Sequence, residues 1–296
     1  MTYQKRFFIR FAVAVGLTIV AGVAKAQAPA AAPLVVHPLA TNIYWVEGGG
    51  GNSGVIVGEQ GVTVIDAKIT QASGKELLDD IAKITPKPVK TVILSHSDRD
   101  HVNGLAAFPE GVTIIAHEND KKEQERAIAA SSKEAPPASH LPTRLITKNE
   151  DDIKIDDTSL ELLHWGPAHT SGDLVVYLPK PRIVFTGDLI TNRPDPLIHL
   201  EKNGSSEGWI KAAQGIAALD ADTFVPGHGA PETKADIQAY VAHAEAKRAK
   251  IKDLVAQDKS LDEIKTAVGD APTAQRGNAP AFATFTEVVY QELTKK

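Results

Sequence analysis

The stretch Val89-Lys90-Thr91-Val92-Ile93-Leu94-Ser95-His96-Ser97-Asp98-Arg99-Asp100-His101 runs from an apolar segment into a dense polar cluster. Val89–Leu94 predicts a buried strand. Two imidazoles and two carboxylates then follow within six residues, His96 to His101. Such density is costly for a plain loop, because each polar group needs a partner once buried. A rigid strand end instead delivers the donors to one point. Nitrogen and hard oxygen donors together suit zinc, iron or manganese.

Three further donors stand at strand–loop junctions. His169 lies in Gly166-Pro167-Ala168-His169-Thr170-Ser171-Gly172-Asp173. Asp188 follows the predicted strand Ile183–Phe185, and His228 follows Thr223–Val225 within Pro226-Gly227-His228-Gly229. Glycine or proline flanks each, which permits tight turns and close backbone approach. Among the remaining histidines, His117 reads as structural or surface, His164 as a half-buried strand residue, and His37, His140, His199 and His243 as solvated.

Outward from these junctions the chain alternates short strands with helices. Strands are expected at Ile43–Val46, Gly54–Val57, Val62–Ile65, Val112–Ile115, Arg144–Thr147, Ile153–Ile155, Leu160–His164 and Leu174–Leu178. Helices are expected at Gly74–Ile84, Glu118–Ala130, Trp209–Leu219, Lys234–Ala256, Leu261–Val268 and Phe282–Leu293. The glycine run Gly48–Gly51 reads as either a hairpin turn or a flap over the site. Thr191–Ser206 reads as a long polar loop. This order predicts α/β sheets covered by helices rather than a doubly wound parallel sheet.

The series His96-x-Asp98-x-Asp100-His101, His169, Asp188 and His228 resembles the metal-ligand series of the metallo-β-lactamase superfamily, whose first motif is usually His-x-His-x-Asp-His. The resemblance runs from about Asn42 to Gly229 and includes the stretch ending at Asp66. It implies a four-layer αβ/βα sandwich binding two divalent metal ions, zinc first, at one edge between the sheets. By the same resemblance, His96, Asp98 and His169 would hold one ion, and Asp100, His101 and His228 the other. Asp188 would bridge them, and Asp66 would orient a ligand from behind. A water shared by the ions would be the nucleophile, present as hydroxide near neutral pH. Asp100 would orient it or pass a proton to the leaving group. Asp98 departs from the family pattern. Its extra negative charge predicts a weaker Lewis acid and greater tolerance of iron or manganese. A carboxylate at this position is also similar to the flavodiiron branch, which has Glu there.

Composition narrows the setting. The 296 residues are 43% apolar, 23% charged and 5% aromatic, an ordinary globular balance. Cysteine is absent, which excludes thiolate zinc sites, disulfides and cysteine nucleophiles. Met1–Ala26 carries Lys5, Arg6, Arg10 and Lys25, an apolar run Phe11–Val23 and the small-x-small step Ala24-Lys25-Ala26. It reads as a secretory signal peptide cut after Ala26, leaving no stable membrane anchor and implying the periplasm. Gln27–Pro38 reads as a flexible lead-in, and residues 39–296 as one domain. Removing four of 32 basic residues leaves 28 against 37 acidic ones, a net charge of -9. That argues against a nucleic-acid partner. The expected activity is attack by metal-bound hydroxide on a carbonyl of a small-molecule substrate: a β-lactam first, a lactone or other ester next. The alternatives are a non-haem iron oxidoreductase on the same cage and a non-catalytic module stabilised by metal.

Overall fold

A computed structural model describes residues 33–132, 135–155, 158–270 and 282–295. The expected signal peptide, 1–26, and residues 27–32 of the expected lead-in lie outside the described residues.

Alternating apolar residues build two sheets. In the first, β1 (Val35–Ala40), β2 (Ile43–Glu47), β3 (Ser53–Val57), β4 (Val62–Ile65), β5 (Val89–Ile93), β6 (Thr113–His117) and β7 (Arg144–Ile146) lie side by side in that order. Neighbours are antiparallel from β1 to β4 and parallel from β4 to β7. Parallel neighbours need a crossover. It is supplied by α1 (Gln71–Ile84), by α2 (Arg99–Val102) with the 3-10 turn Asn103–Ala107, and by α3 (Glu118–Ala129). The second sheet holds β8 (Glu150–Ile155), β9 (Thr158–Leu163), β10 (Val175–Leu178), β11 (Ile183–Phe185) and β12 (Thr223–Val225) in sequential order. Only β11 and β12 are parallel there, and α4 (Ser206–Ala218) joins them. The chain closes with α5 (Lys234–Ala256), α6 (Leu261–Val268) and α7 (Phe285–Thr294).

Strand periodicity assigns the layers. Ile65, Ile93 and Ile115 of the first sheet meet Leu162, Val176, Ile183 and Phe185 of the second in a core between the sheets. Their neighbours Val64, Val92 and Ile114 face outward and pack with Leu77 and Ile81 of α1. On the far side Val175, Tyr177 and Val184 pack with Trp209 and Ile216 of α4 and with Ile237, Ile264 and Val288 of α5–α7. The result is the expected helix–sheet–sheet–helix sandwich. Among the described residues, no helix is long and apolar enough to cross a membrane.

The structure corrects the expected lead-in 27–38. Residues Val35–Ala40 form strand β1, paired antiparallel with β2. The Ala/Pro-rich composition obscured it, yet proline is tolerated on an edge strand, where its missing N–H is not needed. The register shifts between Pro38 and Ala40, so the pairing accommodates that residue with an irregularity. Gly48–Gly51 forms the turn between β2 and β3 and is bound down at two points. Ile69 N–H donates to Gly49 O (2.9 Å) and Gly51 N–H to Asp100 O (3.1 Å).

Helix α1 approaches the 3-10 turn through two glycines. A Cβ on Gly104 would overlap the carbonyl oxygen of Ala67, and one on Gly74 would overlap that of Gly104. Gly104→Ala is therefore expected to destabilise the fold by about 1–3 kcal/mol through overpacking. Gly111→Ala, with open space around it, meets only left-handed backbone strain, on the order of 1 kcal/mol. Urea unfolding of both variants checks the order, and an equally stable Gly104→Ala would refute the close-contact reading.

Candidate metal centre

β5 ends at Ile93, and the chain beyond it carries the polar cluster His96 to His101. Ser95 anchors its start: its N–H and its hydroxyl each donate to Asp66, at 2.7 Å. Asp66 sits just past β4 at φ 59° and is 2% exposed. Its Oδ2 lies 2.7 Å from His101 Nδ1. One carboxylate thus joins two neighbouring strand ends and sets the His101 ring, turning Nε2 inward.

The other rings are also held from outside. His96 Nδ1 lies 2.8 Å from Ser95 Oγ, and His169 Nδ1 lies 2.8 Å from Leu197 O. Around the inward nitrogens two donor sets form. One is His96, Asp98, His169 and Asp188; the other is Asp100, His101 and His228. Within each set the donor atoms lie within 4.8 Å of one another. The sets adjoin: the His96 and His101 ring centroids are 4.3 Å apart, and His101 Nε2 is 3.2 Å from Asp188 Oδ1. His228 Nε2 lies 3.1 Å from Asp100 Oδ2 and 3.4 Å from Asp188 Oδ2. All seven side chains therefore meet, and Asp66 lies behind them, with its Oδ2 on His101 Nδ1. Glycine makes the closeness possible. A Cβ on Gly227 would overlap the Asp188 carboxylate, and one on Gly51 the His101 ring.

This donor set fits divalent cations. His96 Nε2, His101 Nε2 and Asp188 Oδ1 are buried with no hydrogen-bond partner. Buried polar atoms are rarely left so, and each such atom calls for an explanation. The electrostatics agree. Burial pushes the His101 pKa down, but the Asp188 and Asp66 carboxylates outweigh it and hold it well above the usual imidazole value. Burial likewise opposes a raised value at His228, yet Asp100 and Asp188 lift it to about 9. Burial would raise Asp98 and Asp188, but the surrounding histidines hold both well below the usual carboxylate range. The carboxylates that raise the His101 and His228 pKa values present a field that also favours a metal cation.

Several contributing residues were not legible beforehand. His199, expected to be solvated, is 4% exposed, and its Nε2 lies 3.2 Å from Asp98 Oδ2. Lys202 Nζ donates to Asp98 Oδ1 at 2.5 Å. Both come from the Thr191–Ser206 loop, which forms a 3-10 turn at Leu200–Lys202. The only sequence signal was the unusual Asp98, whose extra charge calls for a compensating cation. Asn52 clamps the His228 turn: its side chain donates to Pro226 O (2.9 Å) and Gly229 O (2.8 Å). His140, also expected to be solvated, is buried against Phe108 O at 3.1 Å. His117 and His164 stack on each other with ring centroids 3.9 Å apart.

Residues 46–228 match the profile of the metallo-beta-lactamase superfamily. The chain is 27% identical to the 2,4-dinitroanisole O-demethylase subunit alpha of Nocardioides sp. over 71% of its own length and 63% of that protein. It is 21% identical to the linear primary-alkylsulfatase of Pseudomonas sp. over 60% of its length and 41% of that protein. It is 27% identical to a metallo-beta-lactamase type 2 of Bacillus sp. over 60% of its length and 66% of that protein. The chain thus spans less than two thirds of the length of these relatives. Among solved structures, a metallo-beta-lactamase from Pontibacter korlensis aligns with TM-score 0.62 at 20% identity, over 72% of this chain and 99% of that one. A stereoselective inverting sec-alkylsulfatase from Pseudomonas sp. aligns with TM-score 0.70 at 19% identity, over 89% of this chain and 50% of that one.

Two expectations follow from the anchoring groups. Asp66→Ala leaves the Ser95 donors and His101 Nδ1 without their acceptor. It should weaken metal binding roughly 10- to 100-fold and cost about 2–4 kcal/mol of stability, read by chelator competition and urea unfolding. Lys68 is fully buried and donates to Val46 O (2.7 Å) and Gly51 O (2.9 Å). Burial lowers its pKa to about 7, against the pull of Asp66, Glu47 and Glu76. Between pH 7 and 10.5 the unfolded chain then binds one more proton than the folded one at this residue. The unfolding free energy of the wild type should therefore rise relative to Lys68→Met across that window, and parallel curves would refute it.

Proposed function

Starting from a chain that belongs to the metallo-beta-lactamase superfamily, we propose a secreted, metal-dependent hydrolase of small esters, lactones or lactams, with a β-lactam as the first substrate to test. The observation that carries this reading is the meeting of two adjoining donor sets whose inward atoms His96 Nε2, His101 Nε2 and Asp188 Oδ1 are buried without hydrogen-bond partners. Relatives named as a lactamase and an alkylsulfatase support hydrolysis as the reaction class.

His96, Asp98 and His169 would hold one cation, Asp100, His101 and His228 the other, with Asp188 shared. When bound, divalent zinc, or iron or manganese, supplies Lewis acidity that polarises the substrate oxygen and acidifies water. The chain's own groups do the rest. Asp188 is buried, whereas the Asp100 and His228 side chains are 23% and 35% exposed. Those two therefore line the mouth where a substrate enters. Asp100, whose Oδ2 lies 3.1 Å from His228 Nε2, would take a proton from water and pass it to a leaving group. Asn52 keeps the His228 turn in place through its two bonds to Pro226 and Gly229. Export rests on the Met1–Ala26 pattern.

A second reading, a non-haem iron oxidoreductase, is favoured by one observation: the Asp98 carboxylate stands within the first donor set. Oxygen donors shift preference toward iron and manganese.

Metal analysis of protein purified without added metal, paired with a panel of β-lactams, lactones, carboxylate esters and sulfate esters, separates these readings. Turnover that is abolished by chelation and restored by zinc is the expected result. Bound iron with visible absorption and no hydrolysis supports the oxidoreductase. Firmly bound metal with no turnover of any panel member overturns the hydrolase proposal.

A further inference from the structure

We propose that His199 is an additional ligand of the cation held by His96, Asp98 and His169, supplying the imidazole that the motif lacks at position 98. This inference rests on the metal-dependent reading above. Three observations support it independently of any activity.

The first is the inward nitrogen. His199 Nε2 is buried, has no hydrogen-bond partner, and lies 3.2 Å from Asp98 Oδ2. Among the described residues, the other imidazole nitrogens in that condition are His96 Nε2 and His101 Nε2, both positions of the motif. A neutral imidazole that only filled space would leave no reason for a third such atom at the same spot.

The second is the outward nitrogen. His199 Nδ1 lies 2.5 Å from Glu201 Oε1, as His101 Nδ1 lies 2.7 Å from Asp66 Oδ2. A carboxylate on one ring nitrogen fixes the tautomer and presents the other nitrogen as a donor. The backbone repeats the arrangement. His199 N–H donates to His169 O (2.8 Å), and Leu197 O accepts from His169 Nδ1 (2.8 Å). Ser205 N–H donates to Ala168 O (2.8 Å), closing the loop on the same segment. The two rings sit edge to face with centroids 4.9 Å apart. His199 is therefore placed with the rigidity of a ligand, although it comes from an irregular loop.

The third is Asp98 itself. A carboxylate is shorter than an imidazole and leaves space where the usual histidine would reach. Lys202 Nζ sits on Oδ1, so Oδ2 is the oxygen left to face the cluster. His199, His169 and His96 Nε2 surround that oxygen at 3.2, 3.3 and 3.6 Å. Adjacent donors on an ion at roughly 2.0–2.2 Å stand roughly 2.8–3.6 Å apart, so each of these rings is near enough to Asp98 Oδ2 to share an ion with it. The ammonium of Lys202 also offsets the charge that Asp98 adds. Together, Asp98, Lys202 and His199 bring the set close to the charge and donor type of the three-imidazole site that the family motif normally builds.

The test uses the full chain loaded with Co2+, with the wild type, His199→Ala and His199→Gln compared. Glutamine is able to donate a hydrogen bond to Asp98 but provides no imidazole. Visible spectra report the coordination environment, proton NMR shows hyperfine-shifted N–H resonances of coordinated imidazoles, and chelator competition gives affinity. The wild type should take up two ions. Both variants should lose one shifted imidazole resonance, change the d–d band, and hold one of the two ions at least roughly tenfold more weakly. If His199→Ala does not fold, His199→Gln carries the same readouts. A His199→Gln protein with the full set of resonances and unchanged affinity overturns the inference while leaving the two-ion centre intact. A wild type that takes up no cation overturns the metal reading itself, and this inference with it.

Discussion

The carboxylate of Asp66 is the contact from which the site hangs. At 2% exposure it has little access to water, and a buried carboxylate is tolerated only when its oxygens are saturated with donors. Ser95 N–H, the Ser95 hydroxyl and His101 Nδ1 meet that requirement. Those partners sit beyond the end of β5, while Asp66 follows β4, its parallel neighbour. The need to satisfy one buried acid therefore fixes how two strands end, and from those ends His96, Asp98, Asp100 and His101 are presented.

The same logic extends outward in layers. Every imidazole of the two donor sets whose outer nitrogen is buried has a neighbour on it: Ser95 for His96, Asp66 for His101, and Leu197 O for His169. Inward, the price of gathering three carboxylates is offset by the rings around them. Asp98 departs from the usual motif by adding negative charge, and Lys202 answers it directly. Lys202 is itself close to Ser97, whose hydroxyl donates to buried Glu123 on α3. The loop after Asp188, the cluster after β5 and the third helix are in this way joined through the Ser97 hydroxyl.

Much of the architecture was legible in local pattern. The strands around Val64, Val92, Val176 and Val184 alternate or run apolar as buried strands must, and α1 repeats Leu77 and Ile81 at helical spacing. The donors His169, Asp188 and His228 were visible because glycine and proline mark the turns beside them. β1 escaped notice because an edge strand tolerates Pro38 and carries few apolar residues facing a core. His199 and Lys202 escaped because the Thr191–Ser206 loop has no periodicity, so nothing local separates a buried ring from a solvated one.

Residue types and their order sufficed to establish a cysteine-free chain whose histidines and acids sit at strand ends, and with them the family and its layered sandwich. They suffice because strand ends and turns are local, written in apolar runs and in glycine. Which loop side chains come to the centre was decided by folding alone. Asp98 and Lys202 are 104 residues apart and Asn52 and Pro226 are 174 apart. Such partners are chosen by where two sheets and their loops bring charge together, and no stretch of neighbouring residues carries that information.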